Sequence, residues 1–134
     1  MWHDSGHGKI WCARAPEKGI ERKLLDYLIE MVDEQHFSII ISSVDTGKHA
    51  KASRHYSGRA ADVSDVHVYG EDPQPATLHN PHAVAAVQWF IDQGFVAGRE
   101  NGAYNAVLFG PVGAKWNKTR VDHSDHFHAS IWKP

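Results

Sequence analysis

The order of the elements along this chain indicates an α+β domain with a mainly antiparallel sheet and flanking helices. Two stretches have the apolar spacing of amphipathic helices, and each is followed by short runs rich in β-branched or aromatic residues. The chain has 134 residues, of which 42% are hydrophobic, and this is the size of one ordinary domain. We therefore expect a small single domain over residues 1–134.

The first helix is predicted over residues 19–35, where apolar residues recur at helical spacing with charged residues between them. These apolar residues are Ile20, Leu24, Leu25, Leu28, Ile29 and Val32. Residues 37–44 (FSIIISSV) follow as a predicted buried strand, because the run is rich in β-branched residues and ends at the turn-forming residues 45–47. The apolar face of the helix is expected to be core.

A loop is predicted over residues 48–59, and a valine-rich second strand over residues 60–69. Asn80 is a predicted N-cap and Pro81 stands at the first helical position, so a second helix is predicted over residues 82–93. Helical and extended segments thus alternate through the first two thirds of the chain.

The C-terminal third is predicted to be mostly β-structure. Residues 95–96 and 106–109 are expected to pair as a hairpin around the loop 98–105, which has glycines on both sides of its turn. A last strand is predicted over residues 126–132. These strands complete the α+β pattern.

Charge and hydropathy exclude two classes of partner. The chain has 14 basic and 16 acidic residues, which gives no cationic field for nucleic acid or anionic lipid. It has no apolar run of about 18 residues, so membrane insertion is not expected, and residues 1–8 lack the apolar stretch of a signal peptide. If the protein acts outside a cell, we expect release by another route, or a place within a longer protein.

Histidine is frequent, whereas cysteine occurs once. Cys12 allows neither an internal disulfide nor a multi-thiolate metal site, so any metal chemistry must use nitrogen and oxygen ligands. Of the 11 histidines, most are expected to be ordinary hydrogen-bonded surface or core groups. That group comprises His3, His7, His36, His67, His79 and His82.

Two segments carry the remaining chemistry: residues 53–62 (SRHYSGRAAD) and residues 123–128 (HSDHFH). Together they supply two histidines and an aspartate, the ligand set of a zinc site that leaves one position open for water. Gly58 permits a turn that brings His55 over Asp62. In an extended strand His126 and His128 point to the same side, about 6.6 Å apart along the strand.

A general base is also needed beside water on such a site, and Asp125 is the candidate. In a regular strand Asp125 and His128 would face opposite sides, so Asp125 must lie in the entering loop or at a β-bulge. The alternative interpretation of Asp125 is a solvated turn aspartate, which we favour less than the general base. His126 and His123 are the alternatives, because either can orient water or donate a hydrogen bond to an oxyanion.

These residues also carry a family resemblance. The first segment fills the pattern S-x-H-x-x-G-x-A-x-D, and residues 126–128 fill a later H-x-H. In this order the motifs resemble the zinc peptidases of the D-alanyl-D-alanine carboxypeptidase and L-alanyl-D-glutamate endopeptidase group (LAS superfamily). That group includes phage endolysins and shares its fold with the Hedgehog signalling domain. The resemblance covers about residues 37–132.

The resemblance implies a Hedgehog-like fold with a zinc site on the sheet. It implies that His55, Asp62 and His128 bind one Zn²⁺ per chain, and that Asp125 is the general base. His123 and His126 match places where some members carry a histidine that supports a ligand or stabilises the oxyanion. The stem peptides of bacterial peptidoglycan are the implied substrate.

The sequence departs from this family where many members have a Gly-Tyr-Arg segment whose arginine contacts the substrate carboxylate. Here the corresponding strand ends in Ser42-Ser43-Val44-Asp45, so exopeptidase and endopeptidase action both stay open. Four cations are candidates to replace that arginine: Lys48, Lys51, Arg54 and Arg59. His49 is a candidate supporting group near the site, or an ordinary loop histidine.

With this resemblance, the sequence predicts a zinc metallopeptidase that cleaves cell-wall peptides, such as a phage lysis or tail-associated enzyme. A monomer is expected, although the sequence does not fix the oligomeric state. The main alternative is an inactive zinc-containing binding module on the same fold, which retention of Asp125 argues against. A weaker alternative is a histidine-rich protein that sequesters several metal ions.

Overall fold

The computed structural model describes residues 2–47, 49 and 53–134. Two α-helices lie in this part of the chain, α1 (Arg22–Gln35) and α2 (Pro81–Asp92), together with a 3-10 helix at Arg54–Ser57. Seven strands form one sheet. They are β1 (His3–Asp4), β2 (Lys9–Cys12), β3 (Phe37–Ser43), β4 (Ala60–Val68), β5 (Val96–Ala97), β6 (Ala106–Gly110) and β7 (His123–Ser130).

The sheet has the order β1-β2-β3-β4-β7-β6-β5 and is mixed. The pairs β2–β3 and β5–β6 are parallel, and the other four are antiparallel. The predicted α+β class is confirmed at this level. The sheet brings together the two segments that carry the candidate ligands, because β4 and β7 are neighbours at its centre.

The predicted hairpin between residues 95–96 and 106–109 is wrong, since β5 and β6 run parallel, with Val96 opposite Ala106. A parallel pair needs a crossover connection instead of a tight turn. Residues 98–105 supply it, and the buried Arg54 side chain binds three of their carbonyls. This long-range contact leaves no local signal in the sequence.

The N-terminal strands β1 and β2 were not predicted. They have only two and four residues, so no period-2 pattern can be read from them. Pairing with β3 defines β2, and the parallel ladder starts with Lys9 opposite Ser38.

A specific contact marks the start of each helix: a side-chain cap at α2 and a tertiary backbone hydrogen bond at α1. The predicted cap of α2 is confirmed, because the Asn80 side chain accepts hydrogen bonds from the backbone N–H of His82 (2.9 Å) and Ala83 (3.3 Å). Helix α1 starts three residues later than predicted. The residue before it, Glu21, donates its backbone N–H to the carbonyl of Gly58 (2.8 Å) and so connects this end of α1 to the loop that precedes β4.

Among the residues described, neither helix is long and apolar enough to cross a membrane.

The two central strands divide their side chains between the core and a candidate site. Ala61 and Val63 of β4, with Phe127 and Ala129 of β7, belong to the hydrophobic core beneath the helices. Asp62 and His128 alternate with them and are paired across the two strands. They therefore project from the face of the sheet opposite that core.

Candidate metal centre

The three predicted ligands converge on one point. His55 Nε2 lies 3.2 Å from His128 Nδ1 and 3.3 Å from Asp62 Oδ1, and His128 Nδ1 lies 3.3 Å from Asp62 Oδ1. A tetrahedral ion with bonds of about 2.0–2.1 Å holds its ligand atoms about 3.3–3.4 Å apart. The triangle of donor atoms therefore has the dimensions of three corners of a zinc site.

Three separate elements position these side chains. Asp62 and His128 are directly opposite each other on β4 and β7. His55 comes from the 3-10 helix, whose N-cap Ser53 accepts a hydrogen bond from the His55 backbone N–H (3.2 Å). The chain then turns through Gly58 at φ +72°, where a Cβ would lie 2.5 Å from the carbonyl oxygen of Gly19. Only glycine fits this turn, which returns the chain to β4.

The second nitrogen of each histidine is held from the outside. His55 Nδ1 donates to the carbonyl of Val44 (2.6 Å), and His128 Nε2 donates to the carboxylate of Glu100. These bonds select the tautomer, so Nε2 of His55 and Nδ1 of His128 face the common point. Histidines that bind metals in proteins are oriented in this way. Glu100 was not predicted from the sequence because it lies in a loop outside both motifs.

The charges of the site are strongly coupled. Burial raises the pKa of Asp62, but contacts with His128 and His55 outweigh it and hold that pKa far below the usual carboxyl range. Burial lowers the pKa of His128, but the Asp62 and Glu100 carboxylates on its two sides outweigh burial and raise it to about 9. The carboxylates favour a positive charge at this point, whether it is a proton on His128 or a metal ion.

His49 offers a second possible ligand set, since its ligand atom and those of His55 and Asp62 lie within 4.8 Å of one another. Its ring is stacked on that of His55, with the centroids 3.8 Å apart and the planes at 11°. Lone pairs of two stacked rings lie in parallel planes and cannot meet at one ion. His49 Nε2 also contacts the carbonyl of Thr46 (2.8 Å). We therefore favour His128 as the third ligand and His49 as support for the His55 ring.

Asp125 and His126 form a pair at the rim of the site. The side chain of Asp125 is 87% exposed, and its Oδ1 accepts a hydrogen bond from His126 Nδ1 (2.7 Å). The other nitrogen, His126 Nε2, lies 3.7 Å from Asp62 Oδ1. Asp125 thus reaches the site through His126. The bulge expected at this point is present, as Phe109 and Gly110 of β6 lie opposite Phe127 and His123.

His123 lies deeper in the same cleft. Its Nδ1 donates to the carbonyl of Val121 (2.9 Å), and its ring centroid is 5.0 Å from that of His126. Burial, followed by the nearby His128 and His126, lowers the pKa of His123 to about 4. At neutral pH His123 is therefore uncharged.

Of the candidate substrate-binding cations, two are occupied by structural contacts. The Arg54 guanidinium is buried and donates to the carbonyls of Glu100, Gly102 and Tyr104. The Arg59 guanidinium donates to the carbonyl of Trp132. Lys48 and Lys51 lie outside the described residues.

The donor triangle opens into a cleft of about 670 Å³. Leu108, Thr119 and Val121 form part of its wall, beside the histidines of the site. The cleft thus presents both apolar and polar groups beside the candidate ligands.

Comparisons of the chain with models of protein families, with curated proteins and with solved structures found no match.

Proposed function

We propose that this protein is a zinc-dependent peptidase that cleaves stem peptides of bacterial peptidoglycan. The observation that carries the proposal is the triangle of His55 Nε2, Asp62 Oδ1 and His128 Nδ1, with sides of 3.2–3.3 Å. The substrate class comes from the resemblance of the two motifs to the LAS peptidases. A place in phage lysis, in a phage tail or within a longer wall-directed protein follows from the same resemblance.

The donor set supports a catalytic metal over a structural one. Two neutral imidazoles and one carboxylate are three protein ligands, which is the number that catalytic zinc sites use, and structural sites use four. One zinc ion with this set would carry a net charge of about +1. When bound, zinc would polarise the scissile carbonyl and make the attacking water more acidic.

The proton acceptor is the His126–Asp125 pair. His126 Nε2 faces the metal ligands at 3.7 Å from Asp62, whereas Asp125 holds the opposite ring nitrogen and stabilises the protonated ring. His126 would take a proton from the attacking water and return it to the leaving amine. Direct base action by Asp125, as predicted from the sequence, would need its side chain to turn in from solvent.

His123 is suited to accept a hydrogen bond, because its Nδ1–H is directed to Val121 and its Nε2 is then unprotonated. This arrangement favours orientation of water or of a substrate N–H over stabilisation of an oxyanion.

The alternative, a zinc-containing binding module without hydrolytic activity, is favoured by one observation. Asp125 is the acid expected to act as base, and its side chain is 87% exposed. A module that only binds peptide would keep the three ligands and would have no need for His126.

The test is cleavage of purified peptidoglycan and of synthetic stem peptides, with products identified by mass spectrometry. Zinc-loaded protein is expected to cut one bond, chelator is expected to stop cleavage, and His128→Ala is expected to be inactive. His67→Ala, a histidine on the same sheet outside the site, serves as the matched control. If one zinc ion binds per chain and no peptide in a varied panel is cut, the peptidase proposal is wrong and the protein is a zinc-containing binding module.

A further inference from the structure

Glu100 lies in the 98–105 loop between β5 and β6 and contacts a candidate metal ligand from outside the site. Its carboxylate accepts a hydrogen bond from His128 Nε2. The Glu100 side chain is 21% exposed, so it is largely removed from water. Neither sequence motif contains this residue, and the proposed reaction does not use it.

The imidazole ring separates Glu100 from the reacting centre. His128 directs Nδ1 toward Asp62 and His55, and Nε2 on the opposite side of the ring toward Glu100. Glu100 can therefore neither bind an ion held by Nδ1 nor take a proton from water bound there. Its contact can act only through the His128 ring.

Arg54 fixes the loop that carries Glu100. Its guanidinium donates to the carbonyls of Glu100 (3.2 Å), Gly102 (2.9 Å) and Tyr104 (2.9 Å), and to Ser130 Oγ (3.1 Å). Arg54 immediately precedes His55 in the 3-10 helix. The buried Arg54 side chain thus connects the 3-10 helix that carries His55 to the loop whose Glu100 contacts His128.

We propose that Glu100 is a positioning residue, which holds Nδ1 of His128 in the direction of the metal, and that Arg54 sets the Glu100 loop relative to His55. This inference rests on the metal site proposed above. Hydrogen bonds of this kind to ligand histidines are typically worth about 10- to 100-fold in metal affinity. Because Arg54 is used in this way, it is not the substrate-binding arginine.

The test compares Glu100→Ala with Glu100→Gln. Alanine removes the acceptor, whereas glutamine keeps an oxygen that can accept from Nε2. Zinc affinity, measured by competition with a chelating dye, is expected to fall about 10- to 100-fold in Glu100→Ala and much less in Glu100→Gln. The absorption spectrum of the cobalt(II)-substituted protein should change in Glu100→Ala and return toward wild type in Glu100→Gln.

Asp65→Ala is the matched control, because Asp65 is a carboxylate bonded to a histidine, His67, outside the site. It should leave zinc affinity and the cobalt spectrum unchanged. A fourth variant, Arg54→Lys, keeps the charge and loses the multiple donors, and it is expected to weaken zinc binding with Glu100 intact. Circular dichroism verifies that each variant is folded. Glu100→Asp, whose carboxylate is one methylene shorter, replaces Glu100→Ala if that variant is not folded.

The two proposals fail in different ways. If wild-type protein binds no zinc, the proposed function is wrong. If wild type binds zinc and Glu100→Ala binds it equally well with the same cobalt spectrum, the role of Glu100 is wrong and the metal site stands. Equal losses in Glu100→Ala and Glu100→Gln would also overturn it, since a retained acceptor would then have no effect.

Discussion

Strand β4 carries two aspartates that contact histidines, and their surroundings differ. Asp62 meets His55 from the 3-10 helix and His128 from β7, each with its outer nitrogen held elsewhere. Asp65 meets His67, two residues along the same strand, and they bond directly to each other. At Asp62 donor atoms from three separate elements lie within 3.3 Å of one another, whereas at Asp65 the contact is with one histidine on the same strand. Convergence from separate elements, with the outer nitrogens held by other groups, is the feature on which we base the proposal of a metal site at Asp62 and not at Asp65.

The largest expected effect separates these two clusters by metal content. His128→Ala removes a corner of the donor triangle, and we expect the purified, dialysed protein to lose stoichiometric zinc. His67→Ala should retain one zinc ion per chain, because in the described part of the chain the His67 ring bonds to Asp65 and to no atom of the donor triangle. Elemental analysis gives the ratio for both. Equal zinc in the two variants would remove the distinction between the clusters.

The next effect concerns catalysis with zinc retained. His126→Ala should lower kcat for stem-peptide cleavage by about 10²- to 10⁴-fold, the usual contribution of a general base. Asp125→Ala should cost less, because the imidazole remains. Rates from a mass-spectrometric assay, with zinc content measured beside them, decide this. A larger loss in Asp125→Ala than in His126→Ala would make Asp125 the base itself.

A smaller effect is expected on stability, at a glycine near each cluster. Gly58→Ala should destabilise the protein by about 1–3 kcal/mol from backbone strain alone, with more from the contact to the Gly19 carbonyl. Gly70, which follows β4, also has a positive φ (+83°), but a Cβ added there would have nothing within 4 Å, so Gly70→Ala should cost only the strain. Urea denaturation of the two variants measures the difference, and equal costs would contradict the packing argument.

The smallest expected effect is the release of protons on metal binding. With its pKa raised to about 9, His128 is protonated at pH 7 in the chelator-treated protein and must lose a proton before Nδ1 can bind an ion. Zinc affinity should therefore rise with pH until about 9. The raised pKa of His128 also stabilises the folded, metal-free protein. This contribution to the free energy of unfolding is complete below the ordinary histidine pKa of 6.5 and is lost as the pH rises through about 9.

Calorimetry at pH 7 in two buffers of different ionisation enthalpy counts the protons released. Wild type and His67→Ala should release the same number. A count of zero in wild type would show that His128 is already neutral.

The three candidate ligands could be picked out from the sequence because each lies in a short segment whose local pattern is clear. Asp62 and His128 lie on strands whose alternation is evident, and Gly58 marks the turn that returns His55 to them. Glu100 could not be predicted, because its place depends on the contact between Arg54 and the 98–105 loop. The parallel pairing of β5 and β6 escaped prediction for the same reason.

The direction of the Asp125 side chain was equally beyond prediction. A bulge or loop was expected at this point, but where the side chain points depends on how many residues of β7 lie outside the register with β6. That number is set by the pairing of Phe109 with Phe127 and of Gly110 with His123, and no local pattern encodes it.

The bulge in β7 divides the strand into a segment with regular pairing and a segment without pairing. Residues 127–130 keep their register with both β4 and β6, whereas residues 124–126 have no partner in either ladder. Substitutions or insertions at 124–126 can therefore change the residues that we propose to handle protons, while the pairing on both sides of His128 is kept. If the proposed peptidase function holds, changes in this segment should alter the pH dependence or the rate of cleavage more than the affinity for zinc.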